Sequence, residues 1–262
     1  MGGRMKVACI QMDIIYGKPV ENFNRVTGFI EEASLNGADC IVLPEMWNTG
    51  YDLSHLSENA DHEGTDTKKL LSTLASKHSV YIIGGSVSVK TAEGYFNRMY
   101  VFNRSGEIIS EYDKVHLFNV MNEHKHLHAG QRENIFSLGG TLCAGVICYD
   151  IRFPEWIRKH ALHGAKLLFV VAEWPAVRVD HWVTLLKARA IENQLFIIAV
   201  NRVGDDPENT FRGRSMVIGP WGEIIEFADT EECILYADLD VKEVDQVRRS
   251  ISVFEDRREE LY

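Results

Sequence analysis

No stretch of the chain stays apolar for the ~20 residues that a membrane helix needs, so no spanning segment is expected. The opening Met-Gly-Gly-Arg-Met-Lys runs straight into a strand pattern and carries no signal-peptide core. Position 6 lacks the Ser or Thr that would mark Gly2 for myristoylation. Positive charge is short, with 28 Lys and Arg against 38 Asp and Glu and a formal net charge of −10. That balance argues against nucleic acid or an anionic membrane as partner, while leaving room for a local basic pocket. Glycine-rich phosphate loops are missing, so no nucleotide cofactor, and no cofactor of any kind, is expected. Cysteine is sparse and odd in number: Cys9, Cys40, Cys143, Cys148 and Cys233. Four of them lie in apolar strand-like runs, which suits a reducing, cytoplasmic setting and no disulfide framework. His116, His124, His126 and His128 match no common zinc spacing and lack paired cysteines, so no metal site is expected. Repeats, low-complexity tracts and linkers are also missing, and residues 1–262 are expected to form one domain.

What is present is an alternation of buried strands and amphipathic helices. Strands are expected at 5–12, 39–43, 80–89, 141–148, 166–172, 195–200 and 234–239. Helices are expected at 22–35, 67–78, 154–163, 179–193 and 241–249. Two pairs read as hairpins, 96–103 with 108–112 and 215–218 with 223–227. Residues 116–132 have no clean period and read as a long functional loop with at most a helical turn. The pattern favours an α/β fold, with a mixed sheet or two sheets sandwiched by helices. Trp182, Leu185 and Leu186 share one face of the 179–193 helix, which reads as core or dimer surface rather than ligand contact.

The stretch from Val146 to Glu155 combines the end of a buried strand, a turn and the start of a helix. Pro154 suits the first helical position and Glu155 favours the helix dipole. Cys148 would then stand at the mouth of a sheet near the positive end of a helix, a setting that lowers a thiol pKa. A buried structural cysteine is the plainer alternative. Two further strand ends carry Glu45 and Lys114, and ligands gather at the carboxyl ends of strands in open α/β sheets. A thiol, a carboxylate and an ammonium can together hydrolyse a carbon–nitrogen bond. The thiolate attacks the carbonyl, the carboxylate carries the proton, and the ammonium with the Tyr149 N–H stabilises the oxyanion. A Cys148–His116 dyad is the rival reading, and it leaves Glu45 and Lys114 without roles.

Three segments carry a family resemblance: Leu43-Pro44-Glu45, Tyr112 to Leu117, and Gly145 to Glu155. In order and spacing the chain resembles the nitrilase, or carbon–nitrogen hydrolase, superfamily over nearly its whole length. The resemblance implies a four-layer α-β-β-α sandwich, paired into a homodimer or a higher homo-oligomer. It implies Cys148 as nucleophile, Glu45 as general base and Lys114 as oxyanion stabiliser. Glu123 matches a second glutamate that orients Lys114 and the substrate. Trp47 to Tyr51, Cys148 to Arg152, Ala172 to Pro175 and Ala188 to Gln194 are similar to the ω-amidase group, which deamidates 2-oxoglutaramate and 2-oxosuccinamate. N-carbamoyl hydrolysis, nitrile hydrolysis and a non-catalytic partner-binding role are the alternatives. True nitrilases typically carry Cys-Trp-Glu where this chain has Cys148-Tyr149-Asp150.

A small amide with a carboxylate is the substrate expected, with water as co-substrate. Arg152, Arg178 and Arg202 are candidates for its carboxylate, and Tyr51 and Trp174 for pocket walls. Arg152 has a second reading, as a structural partner of Glu155 or Asp150.

Overall fold

The computed structural model describes residues 3–261; Gly2, and with it the myristoylation reading, lies outside them. The first half of the chain lays down strands β1 (Arg4–Gln11), β2 (Cys40–Val42), β3 (Asp61–His62), β4 (Tyr81–Ile83), β5 (Val87–Thr91), β6 (Gly94–Phe102) and β7 (Ile108–Asp113). The second half contributes β8 (Ile135–Leu138), β9 (Thr141–Ile147), β10 (Leu167–Ala172) and β11 (Phe196–Asn201). A small ribbon follows, β12 (Val203–Asp205) with β13 (Thr210–Arg212), then β14 (Met216–Ile218), β15 (Ile224–Phe227) and β16 (Cys233–Asp240). Helices are α1 (Pro19–Leu35), the single-turn α2 (Leu56–Asn59), α3 (Thr65–His78), the single-turn α4 (Glu123–His126), α5 (Pro154–Leu162), α6 (Val179–Asn193) and α7 (Lys242–Ser250).

Two mixed sheets result. One runs β16-β1-β2-β4-β6-β5-β3, with β7 paired to β6, and the other runs β15-β14-β11-β10-β9-β8. In both, the central trio is parallel: β1, β2 and β4 in the first, β9, β10 and β11 in the second. Alternation along each strand decides what each face buries. Val7 and Cys9 of β1 join Val42, Ile83, Val101 and the strands of the second sheet in one core. Ala8 and Ile10, pointing the other way, pack under Val26 and Ile30 of α1 and Leu71 and Leu74 of α3. On the far side of the second sheet lie Ile157 of α5 and Trp182 and Leu186 of α6, all fully buried. The layers are therefore α-β-β-α. The Trp182 face is core, while Ile191 near the end of α6 is half-exposed.

Several elements depart from the sequence expectation. Residues 80–89 form two strands, β4 and β5, broken at Gly84-Gly85. The strand β8 and the β12–β13 ribbon occur in stretches without a clear period. Helix α1 begins three residues early, because Pro19 suits its first turn. The turn after Cys148 is a 3-10 turn, Cys148–Arg152, and the α-helix starts at Pro154 as expected.

Candidate active site

The loop after β2 carries Glu45. It is pinned to the gap between β4 and β5: Leu43 N–H donates to the Ile83 carbonyl (3.0 Å), Ser86 N–H to Pro44 (3.1 Å) and Trp47 N–H to Ser86 (3.0 Å). Gly85 has φ +58°, and a Cβ there would lie 2.0 Å from the Pro44 carbonyl oxygen. The break in the strand thus lets the Glu45 loop pass against bare backbone. Lys114 follows β7, its N–H bound to the Asn97 carbonyl and its own carbonyl to the Gly130 N–H.

Cys148 stands at the apex of a sharp turn. Its φ is +44°, unusual for a residue with a side chain and a mark of local strain. Asp150, fully buried, holds the turn. Its Oδ2 accepts from Ile147 N–H (3.0 Å) and Tyr112 O–H (2.7 Å), and its Oδ1 accepts from His116 N–H (3.0 Å).

The side chains of Glu45, Lys114 and Glu123 converge with no exposure to solvent. Lys114 Nζ donates to Glu45 Oε1 (2.9 Å), to Glu123 Oε1 (2.7 Å) and to the Tyr51 hydroxyl (3.2 Å). Its three hydrogens are thereby used. The Tyr51 oxygen lies 2.8 Å from both Glu45 Oε1 and Glu123 Oε1, yet carries a single hydrogen. Asn97 Nδ2 also donates to Glu45 Oε1 (2.8 Å), and the Glu173 N–H donates to Glu45 Oε2 (2.8 Å). Glu123 Oε2 accepts the Phe118 N–H, which ties the long loop to the cluster.

One ammonium faces two carboxylates here, away from water. Burial works against the charge on Lys114, but Glu123 and Glu45 outweigh it and hold its pKa above the ordinary lysine range. Burial raises Glu123, against the pull of Lys114. The Cys148 thiol is pushed well above its usual range, first by burial and then by Glu45, with Lys114 opposing. The lowered thiol pKa expected from the sequence is thereby corrected. Desolvation outweighs any help from the short 3-10 turn, so the resting group is a neutral thiol beside a carboxylate.

The carbon-nitrogen hydrolase family model matches residues 6–249. The chain belongs to this family. It is similar to 2-oxoglutaramate amidase of Bacillus subtilis (strain 168), with 50% identity over 98% of both chains. It is also similar to human omega-amidase NIT2, with 33% identity over 98% of this chain and 96% of the relative. Among solved structures, Saccharomyces cerevisiae Nit3, a member of branch 10 of the nitrilase superfamily, superposes with a TM-score of 0.90 at 27% identity, covering 98% of this chain and 97% of the other.

In this carbon–nitrogen hydrolase, Cys148 opens onto a cavity lined by Phe118, Tyr149, Arg152, Glu173, Trp174, Pro175 and Arg178. Its volume is only about 10 Å³, roughly what one water needs, so a substrate requires the side chains at its mouth to move. Larger hollows lie elsewhere; one of 460 Å³ beside Arg98, His128 and Arg132 holds none of the three converging groups.

The hydrolase sorts its arginines. Arg202 is fully buried and committed to Glu173 (3.1 Å) and Asp13 (2.9 Å), so it is no free partner for a substrate carboxylate. Arg152 pairs with neither Glu155 nor Asp150. It stacks over Trp174 (4.7 Å) and its Nη2 lies 3.3 Å from His181 Nδ1, because Asp150 is turned inward to hold the Cys148 turn. Arg178 sits over the Phe118 ring (5.3 Å). Tyr51 does not line the Cys148 cavity. Its hydroxyl is drawn into the Glu45–Glu123 cluster, and its other side faces a hollow with Tyr16 and Asn209.

His116 is held on Asp150 Oδ1 (2.7 Å) and stacked on Phe153, which leaves the Cys148–His116 dyad without geometric support. His124, His126 and His128 are exposed. The sequence reading gives Asn97 and Glu173 no role in the site, and gives Asp150 only that of a partner for Arg152. Glu173 follows β10 as Glu45 follows β2, and the strand-end rule could have found it. Asn97 lies inside a strand and carries no such signal.

Proposed function

We propose that this hydrolase deamidates small ω-amides that bear a carboxylate, such as 2-oxoglutaramate and 2-oxosuccinamate, through a thioester on Cys148. The observation that carries the reading is the dry convergence of Glu45 and Lys114 beside the Cys148 thiol. In the first half-reaction the thiol gives its proton to Glu45 as sulfur attacks the amide carbon. The positive charge of Lys114 and the Tyr149 N–H stabilise the tetrahedral oxyanion. Glu45 then returns the proton to the departing ammonia. In the second half-reaction Glu45 takes a proton from water, the hydroxide attacks the thioester, and the carboxylic acid and the free thiol are released. Glu123 orients Lys114.

Two features support the substrate class. Arg152 and Arg178 flank the cavity and supply positive charge for a carboxylate. A relative of 50% identity along nearly the full length is named a 2-oxoglutaramate amidase. We take residues 1–262 as one catalytic domain, a reading supported by the core shared between both sheets. We also propose a cytoplasmic homodimer. The five free thiols suit a reducing compartment, and an open groove beside α5, where Pro154, Leu162 and Val253 lie among charged residues such as Glu155, Lys159 and Asp256, offers a surface for a second copy. Among the described residues no helix is long and apolar enough to cross a membrane.

Ammonia release from 2-oxoglutaramate, with Cys148→Ala as control, tests the activity. Rapid release that the variant abolishes is expected. Turnover no faster than that of an uncharged amide of equal length would overturn the substrate class.

A further inference from the structure

Glu173 is fully buried at the end of β10, yet its Oε1 has no hydrogen-bond partner. Its Oε2 accepts from Arg202 Nη1 (3.1 Å), and Arg202 is itself anchored by the Ile14 and Val203 carbonyls and by Asp13. Its backbone N–H holds Glu45 Oε2 at 2.8 Å, and its carbonyl lies 4.0 Å from Cys148 Sγ. One residue therefore touches the Glu45 carboxylate with its main-chain N–H, approaches the thiol with its main-chain carbonyl, and brings a second carboxyl group close to Glu45.

We propose that Glu173 is a positioning residue for Glu45: its N–H aims Oε2 of Glu45, and its Arg202-anchored carboxyl sets the upper pH limit at which the Glu45–Cys148 pair works. This rests on Glu45 acting as the base. The groups that face the Glu173 carboxyl are Glu45 from the loop after β2, Arg202 from the end of β11, Asp206 beyond β12 and Tyr51 from the turn before α2. Lys114 Nζ reaches Glu45 Oε1 (2.9 Å), and Cys148 shares its cavity with Glu173. Burial lifts Glu173 to about 8, with Arg202 opposing and Glu45 adding to the rise. Near neutrality the carboxyl is largely protonated. Once ionised, it places a further negative charge beside a centre that must itself develop negative charge and admit an acidic substrate.

The test is the pH profile of kcat/KM for ammonia release from 2-oxoglutaramate in wild type, Glu173→Gln and Glu173→Asp. Gln keeps an acceptor for Arg202 without the ionisation, and Asp keeps the ionisation. Wild type and Glu173→Asp should lose activity as pH rises through about 8, and Glu173→Gln should lack that limb. A wild-type profile flat across this range, or a folded Glu173→Gln with an unchanged limb, overturns the proposal. If Glu173→Gln does not fold, Arg202→Lys decides. A weaker attraction should move the limb to higher pH, and an unmoved limb overturns the proposal. Glu45→Gln separates the two ideas, since turnover that survives it removes Glu45 as base whatever Glu173 does.

Discussion

Cys148 is held at a φ of +44° by Asp150, not by its own side chain. Replacing it with Ala removes one small buried group and leaves those bonds in place. Cys148→Ala should therefore lose nearly all turnover while its circular dichroism spectrum and Tm stay close to wild type. A large drop in Tm would show that the thiol is part of the packing. Lys114 is different, because it pairs with two buried carboxyl groups. Lys114→Ala should lower kcat by at least ~10²-fold, the size seen on losing an oxyanion donor. It should also cost stability, on the order of 3–5 kcal/mol, since buried charges are left unpaired. Steady-state kinetics beside thermal melts would check both; near-normal kcat would remove Lys114 from the mechanism.

At the scale of elements, the site depends on where strands stop. The Gly84-Gly85 pair looks, in sequence, like the interior of one strand. In the fold it is the break that accepts the Glu45 loop. Gly85→Ala forces a side chain into a left-handed conformation against the Pro44 carbonyl. The strained backbone alone costs about 1–3 kcal/mol. Tm should fall by at least ~2–4 °C, and activity should fall further than the Tm alone explains, because Glu45 moves. A variant with wild-type Tm and rate would contradict this reading. The long loop of residues 116–132 shows the opposite limit. A helical turn within it could be read from local pattern, whereas the contact of Glu123 with Lys114 was expected only through the family resemblance.

Across the whole molecule, ionisation and folding are linked. The folded-state pKa of Glu173, about 8, lies above its ordinary value of 4.5. The fold therefore binds a proton that the unfolded chain has already released. Its contribution to stability is full below about pH 4.5 and is lost as pH rises through about 8. Glu173→Gln has no such loss. From about pH 5 to about pH 9 the wild-type Tm should fall relative to that of Glu173→Gln, as calorimetry can read. The reverse trend would mean that Arg202 dominates and that Glu173 stays ionised.

The sequence by itself determined the alternation of strands and helices and the three motifs bearing Glu45, Lys114 and Cys148, and the layer order was expected only through the family resemblance those motifs carry. Alternation and motifs depend on local pattern: the period of apolar residues, the turn chemistry, and reactive groups at strand ends. Only the tertiary structure decided the charge state of the thiol, the separate fates of Arg152, Arg178 and Arg202, and the place of Tyr51 and Glu173. Those depend on desolvation and on partners far apart in the chain, such as Asp13 with Arg202 and Glu45 with the Glu173 N–H. Local pattern carries no record of which distant group will share a buried volume, and that sharing sets the electrostatics of the site.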